Sequence, residues 1–415
     1  MKMRTVFVFL PWIFALSTAF AQEVGTLILE HVNVVDPLED SPSLDRTMVL
    51  RGGKIQGIHP GPSPEPGERM DLRGAWVLPG LIDAHVHLMN ITTARRMLSL
   101  GITTGRSMFT WNHSDAGLCA LHDRGDADIP TVLASGYPVV ADPVRFKPDL
   151  SSVFLDHPDL GDLRSGARVG SDGARRIVRA NADRHAKWIK VFANERAGIL
   201  ETDPGTRNLN DDELNAAVRE AVQCGLLAAA HAYSDEGVSA AVNAGVRTVE
   251  HGSLITEPTL KLMHDRGVYF VPTLYGFTTG MKPDSPSEEK ALRPRMEMLL
   301  KNGRRAVAIA RRVGVPVVAG ADSGYEDGEP SVIDEIIYLA SMGFSNLEAI
   351  RSATSLSAEC LKISSTKGAL KPGLDADLAV YADNPVKDLA VLRNPILVMN
   401  GGRIFLSNMP DAKKH

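Results

Sequence analysis

Six residues, His85, His87, Lys190, His231, His251 and Asp322, have the side-chain types that a hydrolytic two-metal site requires. Imidazole nitrogens and carboxylate oxygens suit zinc and its first-row neighbours, with a position left open for water. His85 and His87 lie in the apolar run Leu81–Leu88, which follows a Pro79-Gly80 turn. Side chains two apart on a strand point the same way, so the pair can grip one cation. A surface or packing role is the ordinary alternative for His-x-His. Lys190 sits in Trp188-Ile189-Lys190-Val191-Phe192, on the same face as Trp188 and Phe192, a costly place for an unpaired ammonium. Its amine, more easily deprotonated there, can take up carbon dioxide as a carbamate whose two oxygens bridge two cations. A snorkelling strand-end lysine is the alternative. His231 ends the run Leu226–His231, His251 ends Thr248–His251, and Asp322 closes Pro316–Asp322. Taken singly, each reads as a hydrogen-bonded core histidine or a capping aspartate. Four strand ends that all carry metal-type side chains make coincidence a poor account.

Such residues need a scaffold that brings distant strand ends together. Strands alternate with helical segments from Pro79 to Ser364; one such segment, Asp211–Val222, opens on acidic capping residues and stops near Gly225. This alternation predicts an α/β fold, a (β/α)8 TIM barrel, with its active site at the C-terminal strand ends, where all six residues are expected. Leu27–Val77 and Leu374–Leu406 instead show short apolar strands between Gly and Pro turns, and the two chain ends are expected to pair into one small β-sandwich. The expected division is a signal peptide over 1–21, sandwich residues 22–78, barrel residues 79–364, and the rest of the sandwich with the tail over 365–415. Tyr137–Ser171 and Tyr275–Glu289 break the barrel rhythm and read as loops over the mouth, lids that shape the pocket.

The chain has 415 residues, 44% hydrophobic and 23% charged, which is a globular composition with a large core. Its formal net charge is −5 and becomes −7 if Lys2 and Arg4 leave with the leader, since −5 − 2 = −7. That balance argues against nucleic acid as a partner, which needs clustered cationic surface. Lys2 and Arg4 precede the apolar run Val6–Phe20, and Ala19-Phe20-Ala21 before Gln22 is a small-x-small cleavage pattern, so export to the periplasm or medium is expected. No later run is apolar enough to cross a bilayer. Three cysteines are too few and too scattered for a disulfide framework, and buried thiols are expected. The oligomeric state stays open, a homo-oligomer included.

The motif set resembles the amidohydrolase superfamily, in the branch of imidazolonepropionase-like proteins, Xaa-Pro dipeptidases and ochratoxin-hydrolysing amidases. Pro79–Leu88 resembles its first metal motif and Ile189-Lys190-Val191 its carbamylated-lysine strand. Ala230–Tyr233, Val249–Gly252 and Gly320–Gly324 follow in the family's order, with Val271–Leu274 and Lys367–Leu378 extending the match. The resemblance implies two divalent ions, zinc the natural choice, with His85, His87 and Asp322 on one, His231 and His251 on the other, and the Lys190 carbamate between them. It implies that Asp322 moves the proton during hydrolysis. Tyr233, two residues beyond His231, is placed to steady the carbonyl oxygen, or else is a core tyrosine. Arg196 is placed to bind a substrate carboxylate, or else is a solvated loop arginine.

One stretch departs from the pattern. Where some dipeptidases of this branch carry Gly-Gly-His, this chain has Ala134-Ser135-Gly136-Tyr137-Pro138-Val139-Val140. His157 could replace that contact, with an exposed loop histidine as the alternative. The implied substrate is a small amide, a dipeptide or an N-acyl amino acid, including ochratoxin-type amides. Cyclic-amidine ring opening or deamination of the imidazolonepropionase kind is a second reading, against which Lys190 counts, because those enzymes typically use one metal. A lactonase is chemically close. A catalytically silent scaffold would be expected to have lost ligands, and none is missing.

Overall fold

A computed structural model of the chain describes residues 25–110, 112–126, 128–143, 158–165, 167–279 and 287–409. The expected leader, His157 and, within the two expected lids, residues 144–157, 166 and 280–286 lie outside the described residues.

Both chain ends meet in one eight-stranded sheet. The N-terminal part supplies β1 (Leu27–Val34), β2 (Ser43–Arg51), β3 (Lys54–Pro60), β4 (Glu68–Asp71) and β5 (Trp76–Pro79). Seven strands follow in the middle of the chain: β6 (Leu81–Val86), β7 (Ile102–Ser107), β8 (Thr131–Leu133), β9 (Trp188–Phe192), β10 (Leu227–Ser234), β11 (Thr248–Leu254) and β12 (Tyr269–Val271). The C-terminal part then returns β13 (Leu378–Tyr381), β14 (Leu397–Asn400) and β15 (Arg403–Ser407) to the first sheet. The antiparallel pairing of β5 with β13, Leu378 opposite Pro79 through Tyr381 opposite Trp76, joins the ends. Leu29, Val32, Met48, Leu50, Val77, Leu378 and Val380 form the core of this unit.

The middle strands are parallel and fall into two sheets, β6-β7-β8 and β12-β11-β10-β9. All residues of β6, β7 and β9 are buried, the mark of a parallel sheet covered on both faces. A helix follows each strand in turn: α1 (Ile91–Ser99), α2 (Ser114–Asp123), α3 (Gly170–Asp183), α4 (Asp211–Gln223), α5 (Asp235–Ala244), α6 (Glu257–Asp265) and the long α7 (Ser287–Val313). The helix predicted from Asp211 starts under a capping box, Asn210 accepting from Glu213 N while Glu213 accepts from Asn210 N, a motif worth about 1 kcal/mol.

Backbone contacts join the two sheets at both margins. On one side Lys187 N and Trp188 N donate to Ala134 O, and Val139 bridges Val191. On the other, the segment 316–323 bridges β12 at Phe270 and β6 at Val86. This segment was expected as a strand and is instead an extended run held by single bridges. Gly320 permits the close approach, because a Cβ there would come within 2.8 Å of His85 Cβ and of Val271 Cγ1.

Of the expected mouth loops, Tyr137 is buried and bonded through its backbone to the Asn181 side chain, Val139 pairs with β9, and Pro158–Ser165 forms a 3₁₀ helix. Ser287–Glu289, expected to close the second loop, begin α7. The three cysteines are free, and only Cys360 is fully buried; Cys119 and Cys224 are half-buried. Among the described residues no helix is long and apolar enough to cross a membrane.

Candidate active site

The six residues converge on one cavity of about 200 Å³. His85 is the penultimate residue of β6 and His87 follows its end; Asp322 arrives from the 316–323 segment. Asp322 Oδ1 lies 2.9 Å from His87 Nε2 and 3.2 Å from His85 Nε2, and one ligand atom from each of the three falls within 4.8 Å of the others. Lys190 Nζ is 3.1 Å from His85 Nε2. His231 and His251 form the other side, ring centroids 4.6 Å apart, with His251 at 5.2 Å from His85. Lys190 sits in the middle of β9, whose bounds are the run Trp188–Phe192, whereas His231 lies deeper than the strand end expected for it, since β10 continues to Ser234. His251 (φ 73°), Asp322 (φ 53°) and Thr273 (φ 48°) all hold left-handed backbone conformations. Non-glycine residues rarely adopt this region, and such strain persists only where the surroundings impose it.

Beneath the histidines lies a buried ion pair that the motifs did not point out. Glu250, fully buried on β11, accepts from His85 Nδ1 (2.7 Å) and from Arg106 Nη2 (2.9 and 3.0 Å). Arg106 also donates to Ala84 O and Thr248 Oγ1, and its guanidinium lies 4.5 Å from the Trp188 ring. Burial alone would raise the Glu250 pKa; Arg106, with the His85 hydrogen bond, outweighs burial and holds the carboxyl below its ordinary value. A carboxylate can only accept, so His85 Nδ1 carries a proton and Nε2 is the nitrogen turned to the cavity. Asp83, equally buried, accepts from His85 N, Ala321 N and the Tyr325 hydroxyl, tying β6 to the segment that bears Asp322.

The donor set fits divalent metal. His85 Nε2 and Asp322 Oδ1, a ring nitrogen and a carboxylate oxygen of ligand type, face each other at 3.2 Å. His87 Nδ1 and His231 Nε2 are buried without a hydrogen-bond partner. Burial lowers the pKa of His87, of His231 well below the ordinary value, and of His251 to about 3, so these rings are neutral and keep a lone pair for a metal. Burial also lowers Lys190 to about 8, leaving roughly a tenth of its amine uncharged at pH 7. Asp322 opens onto the cavity; desolvation opposes its charge, but His85 and the hydrogen bonds from His85 and His87 keep its carboxyl well below the usual range.

The cavity walls are mixed. Phe192 stacks on His231 at 4.3 Å, Phe109 lies 4.6 Å from His87, and Phe277 and Met296 close the apolar side. The segment that departs from the family pattern contributes Val140, which packs with Phe192 and Phe109, so an apolar contact stands there. Ser135 N and Gly136 N, just before it, donate to Asp115 Oδ2. Tyr233 shares the His231 side of β10, its ring 5.0 Å from His231 and 5.2 Å from His251, with the Ala197 N–H turned toward its hydroxyl. Burial pushes that phenol upward, so it stays a proton donor. Arg196 lines the same cavity from the loop after β9.

The amidohydrolase family profile matches residues 76–405. An uncharacterised Mycobacterium tuberculosis protein is 30% identical over 349 residues, covering 80% of this chain and 86% of its own length. The ochratoxinase of Aspergillus niger is 27% identical over 263 residues, 62% of this chain and 54% of its own. The crystal structure of a prolidase complexed with N-methylphosphonate-L-proline superposes with a TM-score of 0.78 at 27% identity, covering 91% of this chain and 99% of that one.

Proposed function

Because this chain belongs to the amidohydrolase family and is a hydrolytic enzyme acting on C–N bonds, we propose that it is an exported two-metal amidase that releases amino acids from dipeptides or N-acyl amino acids, ochratoxin-type amides included. The observation that carries this is the convergence of six ligand-type residues, with His87 Nδ1 and His231 Nε2 buried and without a hydrogen-bond partner. We further propose that the middle strands and the 316–323 segment close a (β/α)8 barrel, supported by the bridges at both sheet margins, and that the terminal sheet forms the β-sandwich.

His85, His87 and Asp322 would hold one ion, and His231 and His251 the other. Lys190, as its neutral amine, would add carbon dioxide and release a proton, and the resulting carbamate would supply one oxygen to each ion. When bound, the ions supply Lewis acidity toward the scissile carbonyl and bring the pKa of a water close to neutral. The protein's own residues do the rest. Asp322, ionised and facing the cavity, takes the proton of the attacking water on a carboxylate oxygen and delivers it to the departing nitrogen. The Tyr233 hydroxyl donates to the carbonyl oxygen as negative charge grows there. Arg196 pairs with the substrate carboxylate, and Phe109, Phe277 and Met296 receive an apolar side chain and exclude water.

The test is a screen of metal-replete protein against dipeptides and N-acyl amino acids, with amino acid release as the readout. Ammonia release or ring opening from cyclic amidines would move the assignment to the imidazolonepropionase-like reading. Hydrolysis of none of these would contradict the proposal.

A further inference from the structure

The loop after β9 is held from outside the site by one side chain. Arg295, half-buried on α7, donates from Nη1 to Ala197 O (3.0 Å) and Ile199 O (2.6 Å), and from Nη2 to Leu200 O (3.3 Å). Its planar fork suits several carbonyls at once, which a lysine ammonium on a flexible stem does not reproduce. At the start of the loop Glu195 N donates to Thr206 O and Glu195 Oε1 accepts from Asn208 Nδ2, and within it the Thr202 hydroxyl donates to Arg196 O and Ile199 O. What the guanidinium fixes faces the chemistry. Arg196, Ala197 and Gly198 line the cavity, the Ala197 N–H is turned toward the Tyr233 hydroxyl, and Met296, next to Arg295, lines the same cavity.

We propose that Arg295 is a positioning residue that clamps residues 197–200 so that Arg196 and the Ala197–Tyr233 contact meet the carboxylate end of the substrate. It thereby sets the affinity for carboxylate-bearing amides. The inference rests on the reading of Arg196 as the carboxylate-binding group. Losing the clamp leaves the metal ligands in place, because Arg295 touches none of them, and frees the loop to sample conformations in which Arg196 points elsewhere.

The test compares the parent with Arg295→Met and Arg295→Lys on two amides, an N-acyl phenylalanine and its decarboxylated counterpart, the N-acyl phenethylamine. Arg295→Met is expected to raise KM for the carboxylate substrate by roughly tenfold with little change in kcat, and to leave kcat/KM for the other amide near the parent value. Arg295→Lys should resemble Arg295→Met. Adding Arg295→Met to Arg196→Met should cost nothing further, since the clamp acts through Arg196. A substrate-independent readout is tryptic cleavage after Arg196, which should be faster in Arg295→Met under native conditions. Unchanged cleavage, equal losses on both amides, or multiplying effects of the two substitutions would each overturn the clamp. A parent indifferent to the carboxylate would sink the Arg196 reading and the inference with it, whereas a carboxylate-preferring parent matched by Arg295→Met would sink the clamp alone.

Discussion

Glu250→Gln should damage both the fold and the metal centre, and the two costs can be worked out separately. The carboxylate pairs with the Arg106 guanidinium at 2.9 Å, both are fully buried, and breaking such a pair costs about 3–5 kcal/mol. The second cost runs through His85. Glutamine can keep its oxygen toward Arg106, but its NH2 then faces His85 Nδ1, which must give up its proton and accept. The proton is then held on Nε2, the nitrogen that faces Asp322 and would ligate a metal there. Loss of such a supporting partner lowers metal affinity roughly 10–100-fold, about 1.4–2.7 kcal/mol. The sign of the pH dependence follows from the depressed Glu250 pKa: its contribution is fully present above the unfolded glutamate value, about 4.3, and is lost as pH falls through the folded value. Measured near pH 7, therefore, the variant should show the full effect. The assays are competition with a chelator of known affinity and thermal unfolding at a fixed scan rate. A Glu250→Gln protein with parental metal affinity would refute the argument that this carboxylate sets the His85 tautomer, and a parental Tm would refute the buried-pair cost.

Lys190→Ala should lose metal and most activity, with partial rescue by short carboxylic acids, because the bridge requires an anion rather than lysine itself; a fully active alanine variant would remove Lys190 from the site. Asp322→Asn should keep much of the metal but lose turnover by orders of magnitude, since an amide oxygen can ligate but cannot carry a proton; equal losses of both would make Asp322 chiefly a ligand. Tyr233→Phe should lower kcat by roughly 10²-fold at near-normal metal content, and an unchanged kcat would return Tyr233 to a packing role. Glu335, buried and accepting from Leu274 N and Tyr275 N, is pushed up to about 7 mainly by burial, so the folded state binds its proton more tightly and stability from this group falls as pH rises from about 4.3 to 7. Glu335→Gln should flatten that part of the Tm profile relative to the parent, and parallel profiles would contradict the assignment.

The six candidate ligands were legible because each is a polar residue embedded in an apolar strand pattern, where burial without function is costly. His85 and His87 share a strand face, and Tyr233 was placed correctly beside His231 by the same alternation. Strand ends were less legible: β10 and β11 run past His231 and His251, and the φ of His251 bends the backbone where a regular strand was expected. Asp83 lies two residues before His85, within reach of the period-2 argument, and Glu250 directly precedes His251, yet neither announces its partner. Arg106 pairs with Glu250 across 144 residues of sequence, and only the adjacency of folded strands reveals it. Arg295 has no signal at all, because one more arginine on a charged helix reads as solvated surface.

The central claim is that this site works with two divalent ions held by the six residues. Elemental analysis of the purified protein, paired with amide hydrolysis before and after chelator dialysis and stepwise metal return, tests it most directly. Two divalent ions per chain are expected, with activity that disappears with them and returns as they are restored. Undiminished amide hydrolysis by rigorously metal-free protein would contradict it.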